Sequence, residues 1–141
     1  MAKKSDVGNN KTRGNYYEVL FKAECLSRNM PVSTPEGAHL GYDLIVDGQE
    51  LWKVQVKGTR FGHPDKGYTV TLHQGGGRKG SSVYSMTAWD FLAMYVDAPD
   101  IRCWYVIPRL ATGKKASVKT YPSIPHSKGQ FEPYKNAFHL L

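Results

Sequence analysis

The stretch Gly41-Tyr42-Asp43-Leu44-Ile45-Val46-Asp47-Gly48-Gln49-Glu50-Leu51-Trp52-Lys53-Val54-Gln55-Val56-Lys57 carries most of the structural information in this chain. Leu51 to Lys57 alternates without a break. Trp52, Val54 and Val56 fall on one face while Lys53, Gln55 and Lys57 fall on the other, the period of a half-buried strand. Gly41 to Asp47 is a second β-forming run, and Asp47-Gly48-Gln49-Glu50 between them is a turn signal. The two runs predict a hairpin whose register depends on its loop. With the three-residue loop Gly48-Gln49-Glu50, Asp43 stands opposite Gln55 and shares its face. A two-residue loop, Gly48-Gln49, would pair Asp43 with Val54 and send its side chain to the wrong side, because each one-residue slip flips the face. A shared site therefore demands an odd loop or a bulge.

Outward from the hairpin, Asn15 through Asn29 reads as a helix. Tyr17, Leu20, Phe21, Glu24, Cys25 and Arg28 recur at i, i+3, i+4, i+7, i+8 and i+11, most of one stripe being apolar. Asn29 suits a left-handed C-terminal position and Pro31 stops the helix. Met30 to Ser33 is a candidate short strand. Tyr68 to His73 is another strand of period two, followed by a loop from Gln74 to Ser82. Thr87 reads as an N-cap with Asp90 three residues on, opening a second helix that runs to about Val96. Ile101 to Ile107 predicts a buried strand and Ala116 to Tyr121 a more exposed one. The order is αβββαβ, an α/β fold with a mixed central sheet flanked by helices. The corresponding division is a basic N-terminal arm (1–13), a core domain (14–121), and a tail (122–141) packed on the domain or on a partner subunit.

Composition excludes several classes. The 141 residues are 40% hydrophobic and 22% charged, ordinary globular usage that fits neither a disordered chain nor a fibre. The apolar runs are far short of the ~20 residues a spanning helix needs. Lys3 and Lys4 are followed by no apolar stretch, which argues against a secretory signal and for a cytoplasmic protein. Cys25 and Cys103 suggest no disulfide framework, and the five histidines show no zinc spacing. The net charge of +7 is uneven. Residues 1–28 carry six basic and three acidic groups, 29–57 two and four, 58–100 four of each, and 101–141 seven and one. An acidic island between basic flanks suits a polyanion with a cation held against it.

Four polar residues interrupt the patterning in a way that points to chemistry. Glu18 lies on the amphipathic helix, Asp43 breaks an apolar strand, and Gln55 and Lys57 share a face of the next strand. A carboxylate with neighbouring oxygens can hold a hard cation such as magnesium, with manganese able to substitute. A nearby ammonium orients a nucleophile or stabilises the transition state, which together describes metal-assisted phosphodiester hydrolysis.

Glu18 on the helix, then Tyr42-Asp43-Leu44-Ile45-Val46-Asp47, then Val54-Gln55-Val56-Lys57 resembles the PD-(D/E)XK nuclease superfamily. Within it the pattern is most similar to small intron-encoded homing endonucleases and, more distantly, to archaeal Holliday junction resolvases. The resemblance covers about residues 14–107. It implies that Asp43 ligates the metal together with Gln55 and the Val56 carbonyl, that Lys57 is the catalytic lysine, and that Glu18 binds a metal-held water or a second cation. Tyr42 replaces the motif's proline, and Gln55 stands where most members carry a carboxylate. The implied activity is a magnesium-dependent endodeoxyribonuclease, of homing type on double-stranded DNA. The alternatives are a junction resolvase acting on branched DNA and a DNA-binding protein that has lost catalysis. Cutting two strands with one small domain implies a homodimer or higher homo-oligomer. Arg60, Arg78, Lys79, Lys114 and Lys115 are the expected DNA-binding residues. The Gly75–Ser82 loop fails the phosphate-loop pattern, since Ser81 rather than Lys follows Gly80.

Overall fold

The computed structural model describes residues 6–37, 40–74, 82–83 and 88–141. The order is α1 (Asp6–Ser27), β1 (Val32–Ser33), β2 (Leu44–Asp47), β3 (Leu51–Thr59), β4 (Gly62–His63), β5 (Gly67–Thr71), β6 (His73–Gln74), β7 (Ser82–Val83), β8 (Phe91–Asp97), β9 (Arg102–Pro108), α2 (Arg109–Thr112) and β10 (Ser117–Thr120). Two short 3₁₀ turns follow, Glu132–Tyr134 and Phe138–Leu140.

The central sheet has the order β1-β2-β3-β8-β9. The β3–β8 pair is parallel and the others are antiparallel, so the sheet is mixed. A parallel pair needs a crossover, and the chain between Thr59 and Phe91 makes it. This crossover carries β4 and β5, which join β10 in a second sheet of order β10-β5-β4.

Two hydrophobic layers result. On one face of the central sheet, Tyr17, Phe21 and Cys25 of α1 pack against Leu44, Val46, Val54 and Val56. On the other, Tyr68, Val70 and Val118 of the second sheet pack against Leu92, Met94 and Ile107. The chain after β10 closes both layers. Phe131 joins the second layer, while Phe138 and Leu141 join the first. Phe138 stacks on Phe21 with ring centroids 6.0 Å apart. The Leu141 carbonyl oxygen accepts a hydrogen bond from the Trp52 indole at 2.9 Å, which fastens the tail to the hairpin.

The predicted helix from Thr87 to Val96 is not a helix where it is described: residues 88–90 are irregular and a strand runs from Phe91 onward, while Thr87 itself lies outside the described residues. Phe91 to Asp97 is the central β8, buried at all seven positions. Phe91, Ala93 and Tyr95 face the α1 layer while Leu92, Met94 and Val96 face the other. A strand covered on both faces has no polar alternation to betray its period. Asp90, expected at a helix N3 position, instead exchanges bonds with Lys53 of β3. Its N–H donates to the Lys53 carbonyl and its carboxylate accepts the Lys53 N–H, both at 2.8 Å. Asp90 therefore seats the start of β8 on β3.

The first helix begins at Asp6 rather than near Asn15, and Asn29 has the expected positive φ of 61° behind it. No helix among the described residues is long and apolar enough to cross a membrane.

Candidate active site

The hairpin loop is Gly48-Gln49-Glu50, three residues, with Asp47 paired to Leu51 and Leu44 to Val54. One step further along this register, Asp43 lies beside Gln55. Asp43 grips β3 on both sides of that residue. Its N–H donates to the Val54 carbonyl at 2.9 Å, and its carboxylate accepts the Val56 N–H at 2.8 Å. Gln55 is buried, 6% exposed. Glu18 reaches Asp43 from α1, close enough for each carboxyl to act on the ionisation of the other. Lys57 lies close enough to Asp43 for the two charges to feel each other. Helix, hairpin and the far part of β3 thus bring together two acids, an amide and an amine that the sequence separates by up to 39 positions, from Glu18 to Lys57.

The electrostatics follow from burial and crowding. Burial, with the Asp43 charge and hydrogen bond added, pushes the Glu18 carboxyl up to about 7. Burial also raises Asp43, against the opposing effects of the Val56 N–H, the Glu18 hydrogen bond and the Lys57 charge. Both carboxyls are therefore harder to ionise than isolated ones, and they titrate as a unit. Burial lowers the Lys57 amine while Asp43 opposes the change.

Two carboxyls held in contact, both above their usual range, form a place where a divalent cation relieves repulsion that a proton otherwise relieves. The available donors are all hard oxygens: Glu18, Asp43, the Gln55 amide and the Val56 carbonyl. That set suits magnesium, which keeps several waters and takes few protein carboxylates. Among the described residues no group of three or more His, Cys, Asp or Glu stands ready to enclose a metal. The set thus fits an open site rather than a closed structural cage.

Beside Lys57 runs a groove lined by Arg13, Tyr17, Lys57, Gly58, Arg60 and Phe61. Of the expected DNA-binding residues, Arg60 lines it. Lys114 and Lys115 are exposed in the turn between α2 and β10, outside the lining of this groove, and Arg78 and Lys79 lie outside the described residues. Sequence reasoning missed Asp97 and the partnership of Tyr17 with it. Asp97 is 8% exposed at the end of β8 and accepts hydrogen bonds from Tyr17 Oη at 3.0 Å, Arg60 Nε at 3.0 Å and Arg102 Nε at 3.1 Å. A charged residue closing an apolar run was its only signal.

The family model described as PD-(D/E)XK endonuclease matches residues 8–139. The chain belongs to the PD-(D/E)XK endonuclease family. The protein is accordingly a nuclease with a restriction-endonuclease-like α/β fold. The structure of a bacterial homing endonuclease, I-Ssp6803I, is similar, with 25% identity and a TM-score of 0.76 over 92% of this chain and 90% of that one. The crystal structure of MepB shares the fold at 19% identity and a TM-score of 0.50, over 85% of this chain and 90% of that one. No curated protein matches the sequence.

Proposed function

We propose that this PD-(D/E)XK protein is a magnesium-dependent endodeoxyribonuclease that cuts double-stranded DNA at specific sites, as a homodimer or higher homo-oligomer. The observation that carries this reading is Asp43 held opposite Gln55 by its hydrogen bonds to Val54 and Val56, with Glu18 and Lys57 near enough to act on its charge. The structural likeness to a bacterial homing endonuclease supports the homing type.

Glu18, Asp43, Gln55 and the Val56 carbonyl would hold the cation. A divalent cation held there would supply Lewis-acid chemistry, lowering the pKa of a water and offsetting negative charge on the phosphoryl oxygens. Asp43 is pre-set for its part, because the Val56 N–H holds its carboxylate in place on β3. Lys57 provides a fixed positive charge where the phosphoryl group turns more anionic. Its partial burial lowers the cost of proton exchange with a neighbouring water, which suits an amine that orients or deprotonates the nucleophile. Gln55 provides a neutral oxygen, so the anionic binding rests on Asp43 and Glu18.

The test is cleavage of supercoiled plasmid and of a synthetic four-way junction, in magnesium and in EDTA, by the wild type and Lys57→Ala. Metal-dependent cutting of plasmid that the substitution abolishes supports the proposal. Preference for the junction would make the protein a resolvase. Tight DNA binding without cutting in any divalent metal would make it a binding protein.

A further inference from the structure

The groove beside Lys57 is built from cations that the chemistry at Asp43 does not use. Arg13, on α1, and Arg60, just past β3, line it together with Lys57, and no acidic side chain is among its described lining residues. Arg60 is not a loose surface arginine. Its Nε donates to Asp97, which also receives Tyr17 and, on its other oxygen, Arg102. Burial pushes the Asp97 carboxyl up, but the hydrogen bonds from Arg60, Tyr17 and Arg102 outweigh it and hold it below the usual carboxylate range. One carboxylate serving two guanidiniums leaves a surplus positive charge, and the Arg60 side chain stays 51% exposed. A pair that existed only to neutralise a buried acid would need one arginine.

The backbone around Arg60 is fixed as well. Gly58 has no room for a side chain, since a methyl group there would collide with the Tyr17 ring. The same ring donates its hydroxyl to Asp97, so Tyr17 braces the backbone next to Lys57 and the acid that holds Arg60. Beyond Arg60, the Thr59 hydroxyl accepts the Phe61 N–H at 3.0 Å and lies 3.2 Å from the Phe61 carbonyl. Arg60 is thus held in its side chain by Asp97 and in its main chain by the bracing on either side.

We infer that Arg13 and Arg60 form a second phosphate-binding site of the nuclease, which takes a phosphodiester next to the one cut, and that Asp97 is its positioning residue through Arg60. This inference rests on the nuclease reading above and names how the same site holds its substrate. Arg60 is anchored through Nε on Asp97 and interacts with Tyr17, yet its side chain is 51% exposed, so the guanidinium can still meet phosphate oxygens with the planar geometry that suits them. Fixing it in advance removes an ordering cost on binding.

The sign of one substitution separates positioning from plain electrostatics. Asp97→Asn removes a negative charge, so a charge-only role makes DNA binding tighter. A positioning role makes it weaker, because Arg60 loses its anchor. The experiment measures binding of a mixed-sequence synthetic duplex in EDTA by fluorescence anisotropy over a series of salt concentrations. It uses the full-length wild type, Arg60→Ala, Asp97→Asn and the double variant, with magnesium-dependent plasmid cleavage run in parallel. Arg60→Ala, at an exposed side chain that leaves the fold intact, is expected to weaken binding roughly tenfold. It should also flatten the salt dependence by about 0.9 in the log–log slope. Asp97→Asn is expected to weaken binding in the same direction, and the double variant to be no weaker than Arg60→Ala alone. Unchanged affinity and slope in Arg60→Ala, or tighter binding in Asp97→Asn, overturns the inference while wild-type cleavage leaves the nuclease reading standing. A wild type that neither binds the duplex nor cuts plasmid overturns both.

Discussion

Replacing Glu18 with Gln should stabilise the metal-free protein at neutral and alkaline pH while removing its activity. Glu18 and Asp43 are two acids buried near each other, and the cost of ionising both falls on the folded state. The Glu18 carboxyl moves from 4.5 in the unfolded chain to about 7 in the fold. A raised acid holds its proton more tightly when folded. Its neutral form is favoured below the unfolded value, and stability is lost as pH rises from about 4.5 to about 7. Taken whole, that displacement is worth about 3 kcal/mol at most. Solvent screening of a partly exposed side chain reduces it to about 1–2 kcal/mol. Glutamine never ionises and can still donate to Asp43, so Glu18→Gln escapes the loss. Urea denaturation in EDTA should therefore show the variant more stable than the wild type by that amount near pH 8, with the gap closing near pH 4. Added magnesium should stabilise the wild type more than the variant. A variant equally stable or less stable near pH 8 would refute the argument, because burial and the Asp43 charge would then not be raising Glu18 in the fold.

Other substitutions probe the same arrangement. Lys57→Ala should lower the cleavage rate at least a hundredfold, with a far-ultraviolet circular dichroism spectrum like the wild type's. Gln55→Glu adds a third acid beside Asp43, so it should destabilise the metal-free fold and tighten magnesium binding, both readable by thermal melts with and without the ion. Gly58→Ala forces a methyl into the Tyr17 ring and should cost about 1–3 kcal/mol in urea denaturation. Gly48→Ala places its methyl on the Leu141 carbonyl and should release the Trp52 indole, seen as a shift of its N–H resonance.

The sequence made the site's hairpin legible because one of its two faces is polar. Alternation from Leu51 to Lys57 set the period, while the turn residues allowed a two- or a three-residue loop; a shared site demanded the odd one, and the pairing of Asp47 with Leu51 shows it. The strand at Arg102–Pro108 was legible as a short β-rich run. Two elements were hidden. The start of α1 is Asp6-Val7-Gly8-Asn9-Asn10, with no apolar stripe and weak helix formers, so nothing local announced it. Strand β8 is apolar throughout because it is covered twice, and Thr87 with Asp90 imitated a helix start. Burial on both faces erases the difference between a strand and a helix in a short run. The Asp97 network was illegible for another reason. Its members at 17, 60, 97 and 102 come from three elements and the segment after β3, and no spacing connects them.

The most direct measurement of the central claim is cleavage of a library of duplexes carrying a randomised segment, with the new ends read by sequencing. The wild type, Asp43→Asn and Lys57→Ala are compared in magnesium and in EDTA. New ends that share a sequence, formed only by the wild type and only with the metal, are the predicted result. A library left intact by the wild type in magnesium and in manganese would contradict the assignment of hydrolysis to Glu18, Asp43, Gln55 and Lys57, and so would ends that persist in Lys57→Ala.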